Sequence, residues 1–569
     1  MKKSIRLLAL ALCASSVAVS MASCNAISRP TGEDDPEDPT KTTVKVYNFD
    51  GGIGTDWLRA AEKAFEAKYA NKSFEDGKMG VNIRVFPGKA SQQTVATQPY
   101  DVFFTESVFY NDLVAENLVL DISDVVKAPL SNINGCQETG SIEDKLFDEQ
   151  KEALTALNGN YYVLPHYECY SGISYDRDLF DKKSFFIKEG TGTTQFTNLK
   201  GNLSVGPDGI RGSYDDGLPS SYEEFYNLMK RMVQLNVEPF IYTGKYPSYT
   251  NHLLSGVWAA YTGKDAWMLN VNFDSNYMVE DGGDPVKAQV VTSFENSQPV
   301  IEETLITPET GYKLSQEAGK YYALSFFQTI MSKAENLSTK ISGVSSHLDA
   351  QSDYLFSALD GEPVAMIIEG SYWYNEAKDA LAATANAYPE TGVNRNFSFM
   401  PLPREVSGQV QEGQGKKNTL FDALSAYGFI SSSVKGNEAV EEAAKLFLQY
   451  CYTDEALLAF TESTSIFKGV KYDVDPDLFK GMSKYAENMY NIRSNSDIIH
   501  PVSDSKIFVN AQTKFYYNVD TTCWESKISG TAYAYPQVAF SKGKSAADYF
   551  KGMAMSESTW TSSFADYFD

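Results

Sequence analysis

The stretch 360–377, DGEPVAMIIEGSYWYNEA, constrains the fold more than any other part of the chain. Residues 364–368 form a nearly all-apolar run, the pattern of a strand buried on both faces in a parallel sheet. Gly370 follows, then Ser371 as a helix N-cap, then a helical segment with Trp373, Ala377 and Ala380 on one side. A strand that ends in glycine and opens into a helix places the intervening residues at the carboxyl edge of the sheet. Open α/β sheets bind their ligands at that edge. Here it carries Glu369, Tyr372, Trp373 and Tyr374, a carboxylate beside three aromatic rings. Sugars suit such a surface, because C–H faces stack on rings while hydroxyls bond to carboxylates. The competing reading is a core strand with aromatics packed under a helix.

The amino end has the form of a secretory signal. Lys2, Lys3 and Arg6 precede an apolar run over 7–19, followed by Met21-Ala22-Ser23-Cys24. The run is too short and wrongly flanked for a membrane span. The small residues before Cys24 resemble a bacterial lipobox, which makes Cys24 the lipidated first residue of the mature protein; ordinary cleavage after Ala22 or Ser23 is the alternative. Residues 24–40 are acidic and proline-bearing, as a disordered tether would be.

Formal net charge is −25, so phosphate backbones and anionic lipid surfaces are poor partners, and nucleic acid is not expected. The 36 Tyr and 33 Phe fit work on carbohydrate without proving it. Beyond Cys13 and Cys24, the cysteines at 136, 169, 451 and 523 have no metal-type spacing; they either pair or stay as buried thiols. With four histidines, a histidine-rich metal site is not expected.

Along the chain, 44–49 reads as a first strand, with Asp50-Gly51-Gly52 as its exit loop. Thr55 then caps a helix whose Trp57, Ala61, Phe65 and Tyr69 share a face, and Trp57 reads as core. Strands follow at 81–86 and 101–105, the second leading to Glu106, with a helix over 113–120 beyond. No glycine-rich phosphate loop accompanies these strands. Ser220 or Ser221 with Glu223 or Glu224 forms a capping box that opens a helix. Before it, Asp208, Asp215 and Asp216 lie among glycines in a loop suited to calcium, or to a plain polar hairpin. The spacing is not that of an EF-hand, since Pro219 stands where the bidentate glutamate would fall. No other cofactor is required.

The order of these pieces resembles the bacterial extracellular solute-binding proteins, family 1, the carbohydrate ABC-transporter type that includes maltose-binding-protein-like members. The family's "dGkyYglP … l.YNkdlF" segment is similar to 158–180, its "G..AM...GsW" segment to 361–373, and its "P.P" to 401–403. Its "G..IS..skn.eaA.kFl.yl.sde" segment is similar to 428–455. The long inserts between 180 and 355 depart from shorter members. The resemblance implies an α/β fold of the two-lobed periplasmic-binding-protein type (type II), with a hinge and a central ligand cleft. Lobe 1 would take 41–167 plus 404–469, and lobe 2 would take 168–403 plus 470–569. The lobes cross near 164–170, 400–403 and 468–473. It further implies an oligosaccharide ligand, delivery to an ABC-transporter permease in the membrane, a lipid-anchored extracytoplasmic location and a monomer without enzymatic activity. Candidate cleft residues are Glu369, Tyr372, Trp373 and Tyr374, with Trp258, Trp524, Tyr167, Asp50 and Glu106. The family's aromatic comes two residues after the glycine, at Tyr372, while Trp373 is one further on; the helix start leaves the two open. Rival classes are a secreted glycosidase with Glu369 as one of two carboxylates, and a surface glycan-binding adhesin.

Overall fold

The computed structural model describes residues 37–88, 92–106, 108–190, 193–277, 283–331, 340–342, 346–392, 395–404, 417–423, 426–511 and 522–568. Cys24, the signal segment and most of the tether lie outside the described residues.

Two five-stranded sheets carry the architecture. The first runs Val81–Gly88, Thr42–Phe49, Val102–Glu106, Ala426–Ile430, Leu164–Pro165. Its first two pairings are parallel and its last two antiparallel. The second runs Lys340–Ser342, Glu238–Thr243, Val364–Gly370, Ser171–Asp176, Phe397–Met400. The expected parallel setting of the central strand is therefore half right. Val364–Gly370 is parallel to Glu238–Thr243 and antiparallel to Ser171–Asp176, which enters this sheet directly from the first one.

All seven residues of Val364–Gly370 are buried, because successive side chains point to opposite faces and both faces are covered. Met366 and Ile368 join the cluster of Leu253 and Leu254, from helix Ser248–Thr262; Ile367 joins that of Tyr354 and Leu355, from helix His347–Asp360. In the first lobe, helix Asp56–Lys68 buries Trp57, Leu58, Ala61 and Phe65, the spacing that one helical face requires. Thr55 stands at its N-cap without a side-chain hydrogen bond. The helix expected over 113–120 is instead Tyr110–Ala115, and Asn117, at φ 56°, turns the chain out of it. The capping box is formed by Ser221 and Glu224 and opens helix Tyr222–Gln234. Cys136, Cys169, Cys451 and Cys523 are free thiols, the last three of them buried.

The chain passes between the sheets three times. Residues 166–170 join Leu164–Pro165 to Ser171–Asp176. From Phe397–Met400 the chain returns through strand Asn418–Phe421 to Ala426–Ile430. Beyond helices Glu438–Tyr450 and Asp454–Thr464, it leads to helix Lys484–Ser494, packed on Phe397–Met400. The passages lie side by side. The Glu168 N–H donates to Phe467 O at 3.0 Å, and the Ala423 N–H donates to Cys169 O at 2.8 Å.

An extra layer covers the outer side of the second lobe. Helix Ala318–Met331 packs on Ser248–Thr262 and on Ala546–Lys551, with the hairpin of Lys287–Glu295 and Gln298–Leu305 beside it. This layer packs against Trp258 and Trp524 through Lys320 and Tyr549.

Candidate ligand cleft between the lobes

The carboxyl end of Val364–Gly370 faces the loop that follows Thr42–Phe49. Asn375 donates from Nδ2 to Gly52 O at 2.7 Å, and Lys378 Nζ pairs with Asp56 Oδ2 at 3.0 Å. The half-buried Tyr372 packs closely against Gly52; a Cβ at that glycine would come within 2.5 Å of Tyr372 Cδ2. Glycine is thus required at 52 for this approach. The lobes meet here, beyond the end of the strand that carries Glu369.

Glu369 is 3 % exposed, and its Oε2 receives no hydrogen bond from the described residues. Burial, then the neighbouring charge of Glu376, pushes its carboxyl well above the usual carboxylate range. Burial likewise lifts Glu376 to about 7. Tyr249 and Tyr372 are hydrogen-bonded through their hydroxyls, and Tyr249 feels the charges of Glu369, Glu376 and Glu106. From the first lobe, the Tyr167 hydroxyl donates to Glu106 Oε1. Asp50 is exposed at the end of its strand, where its N–H donates to Gly88 O. The geometry thus gathers Glu369, Tyr372, Glu106 and Tyr167 around one interlobe space, a set of aromatic rings and carboxyls able to hold a polyhydroxylated ligand by stacking and hydrogen bonds.

Three expected platforms are corrected. Trp373 has no exposure. It is set edge-on to Tyr354, Phe397 and Tyr485 at 5.6, 5.4 and 6.1 Å, inside the second-lobe core, because it starts the helical turn one residue past the cleft. Trp258 and Trp524 are also fully buried. Trp258 sits 5.0 Å from Trp267 under Lys320, whose Nζ lies 4.5 Å from its ring centroid, and Trp524 donates from Nε1 to Ser255 Oγ at 3.0 Å. The extra layer seals both from the cleft. Tyr374 is half-buried and stacked on Tyr485 at 5.0 Å, packed against the same aromatic cluster.

The acidic loop uses its carboxylates on itself. Asp215 accepts from the Asp208 N–H at 3.1 Å and from Asn418 Nδ2 at 2.9 Å; Ser213 Oγ donates to both Asp208 and Asp215. Asp216 turns to the Gly212 N–H at 2.9 Å. Burial chiefly lifts Asp215 to about 7, with Asp208 adding to it. Among the described residues, no group of three or more His, Cys, Asp or Glu side chains is arranged to hold a metal ion.

Sequence reasoning missed the hinge chemistry. Glu168, in the first passage, receives Arg493 Nε at 2.7 Å, while Arg493 Nη2 also donates to Val470 O in the third passage at 3.2 Å. His500 bridges Glu168 and Glu149, at 3.3 Å to each. Burial works against these charges, but Arg493 and His500 hold Glu168 at about 2, and Glu149 and Glu168 raise His500 to about 9. Nearby, Lys468 Nζ lies 2.7 Å from His166 Nδ1 and 4.5 Å from the Trp57 ring centroid, and burial lowers it to about 7. The scarcity of histidine was the one available signal, since two of the four stand at this hinge. A cavity of about 330 Å³ lined by Glu149, Lys264, Met268 and Tyr277, among others, shares no lining residue with Glu369 or Tyr372.

A family model described as bacterial extracellular solute-binding protein matches residues 51–457, more than two thirds of the chain. No curated protein matches it.

Proposed function

Since this chain belongs to the bacterial extracellular solute-binding protein family, we propose that it captures a sugar, specifically an oligosaccharide, between its lobes and delivers it to an ABC-transporter permease. The fold is the two-lobed type II periplasmic-binding arrangement of that family, whose members bind extracellular solutes for ABC transporters and are generally non-enzymatic. The observation that supports the reading is the close approach of Tyr372 to Gly52 of the other lobe, at the end of the strand that carries the buried carboxyl of Glu369. A pyranose stacks on such a ring while its hydroxyls reach Glu369 and Glu106. Domain closure about the three passages then holds the ligand away from water.

The protein works as an extracytoplasmic monomer tethered by lipid on Cys24. Among the described residues no helix is long and apolar enough to cross a membrane. The anchor's support is the MASC segment and the acidic stretch after it.

The test is to incubate pure protein with a panel of plant and host oligosaccharides, following binding by calorimetry and the sugars by chromatography. Saturable binding with intact sugar is the expected result. Turnover would favour a glycosidase, and binding only to polymer, without closure in solution scattering, would favour an adhesin.

A further inference from the structure

We propose that Glu369 and Glu376 form a paired-carboxyl subsite that selects a sugar bearing an ammonium group, an amino sugar, over its neutral counterpart. This rests on the sugar-binding reading above and names the class of sugar.

Oε2 of Glu369 and Oε2 of Glu376 are buried and receive no hydrogen bond from the described residues. Glu369 is 3 % exposed, and the Glu376 side chain 18 %. His347 Nε2 stands 3.6 Å from Glu376 Oε1, within ion-pair range of that oxygen, and leaves Oε2 open. Lys378, two residues on, is directed across the lobes to Asp56 at 3.0 Å. The other titratable groups within electrostatic reach of Glu369 are Tyr249, Tyr372, Tyr485 and Cys169, all of which burial keeps in their neutral, protonated forms. The pair therefore sits at the interlobe contact with the His347 imidazole against Glu376 Oε1 and with no hydrogen bond from the described residues on either Oε2.

Two neighbouring carboxylates in a desolvated site do not both stay ionised. Burial raises both carboxyls, and the charge of Glu376 adds to the rise at Glu369. Closing the cleft on a neutral sugar resolves their repulsion by retaining a proton. Closing it on an ammonium group resolves it by charge. The ammonium has three donors for the two open oxygens. Charge-assisted hydrogen bonds are roughly twice as strong as neutral ones, so charge discriminates where shape does not.

The experiment uses the folded chain and calorimetry at pH 6, with short glucosamine oligosaccharides, their N-acetylated forms and cello-oligosaccharides of the same length. The expected result is about tenfold or more tighter binding of the glucosamine series. Titrations in buffers of different ionisation heat should show protons released on binding the amine series and not on binding the neutral ones. In Glu369→Gln and in Glu376→Gln, each checked for a cooperative melt, the preference ratio should fall toward one. Neutral sugars bound as tightly as the amines would overturn the subsite while leaving the sugar-binding reading intact, as would variants that keep the full ratio. Binding of no sugar in any series would overturn both.

Discussion

Trp373→Ala removes an indole with no exposed surface from between Tyr354, Phe397 and Tyr485, whose ring centroids lie 5.4–6.1 Å away. Truncating a buried tryptophan costs about 3–5 kcal/mol, the lost transfer energy plus the cavity left behind. Domains are stable by roughly 5–15 kcal/mol, so a loss of that size removes a large share of the second lobe's margin. Tyr372→Ala differs in kind. Its half-buried ring rests on Gly52 of the other lobe, so its removal opens the cleft rather than the core. The expected loss there is about 2 kcal/mol of sugar binding, roughly thirtyfold in Kd, with little change in folding. Urea denaturation and calorimetric affinity, measured on both variants beside the unmodified chain, separate the two effects. A Trp373→Ala protein with an unchanged denaturation midpoint and lost sugar binding would refute the assignment of this tryptophan to the core.

The hinge should be sensitive to alkali through His500. Its folded value is raised to about 9, so its contribution is fully present below its ordinary value near 6.5 and is lost as pH rises through about 9; stability should fall across that window, and fall less in His500→Phe. An unchanged pH slope in the variant would count against it. Glu168, held at about 2, contributes above the ordinary carboxylate range near 4.5 and loses that contribution as pH falls toward 2; Glu168→Gln should flatten the acid limb of the stability curve. Cys24→Ala should move the protein from the membrane to the soluble fraction, since the several acyl chains of a lipoprotein hold it stably; full membrane retention would exclude lipidation there. Melts in calcium and in chelator should superimpose, because Asp208, Asp215 and Asp216 are already engaged by hydrogen bonds of the loop and of Asn418; a calcium-dependent rise in Tm would show instead that the loop takes up the ion.

Local pattern alone determined much of this protein. The apolar run after Pro363, the 44–49 and 81–86 strands, the Trp57–Ala61–Phe65 face and the Ser221–Glu224 box all follow from spacing within one or two turns of chain, and each is present. The motif order along the chain was enough to identify the family. Tyr372 and Glu369 at the strand's carboxyl edge were legible for the same reason, because a strand, a glycine and a helix leave few directions for the residues between them. What periodicity does not carry is which buried face belongs to the cleft and which to the core. Trp373 differs from Tyr372 by one residue, about a quarter-turn of helix, and that rotation sends one ring inward and the other across to Gly52. Trp258 and Trp524 turn inward only because residues 318–331 and 546–551, far away in sequence, cover them. His500 and Arg493 gain their roles from partners more than three hundred residues distant. Burial is a property of the assembled layers, so only the tertiary structure decided it.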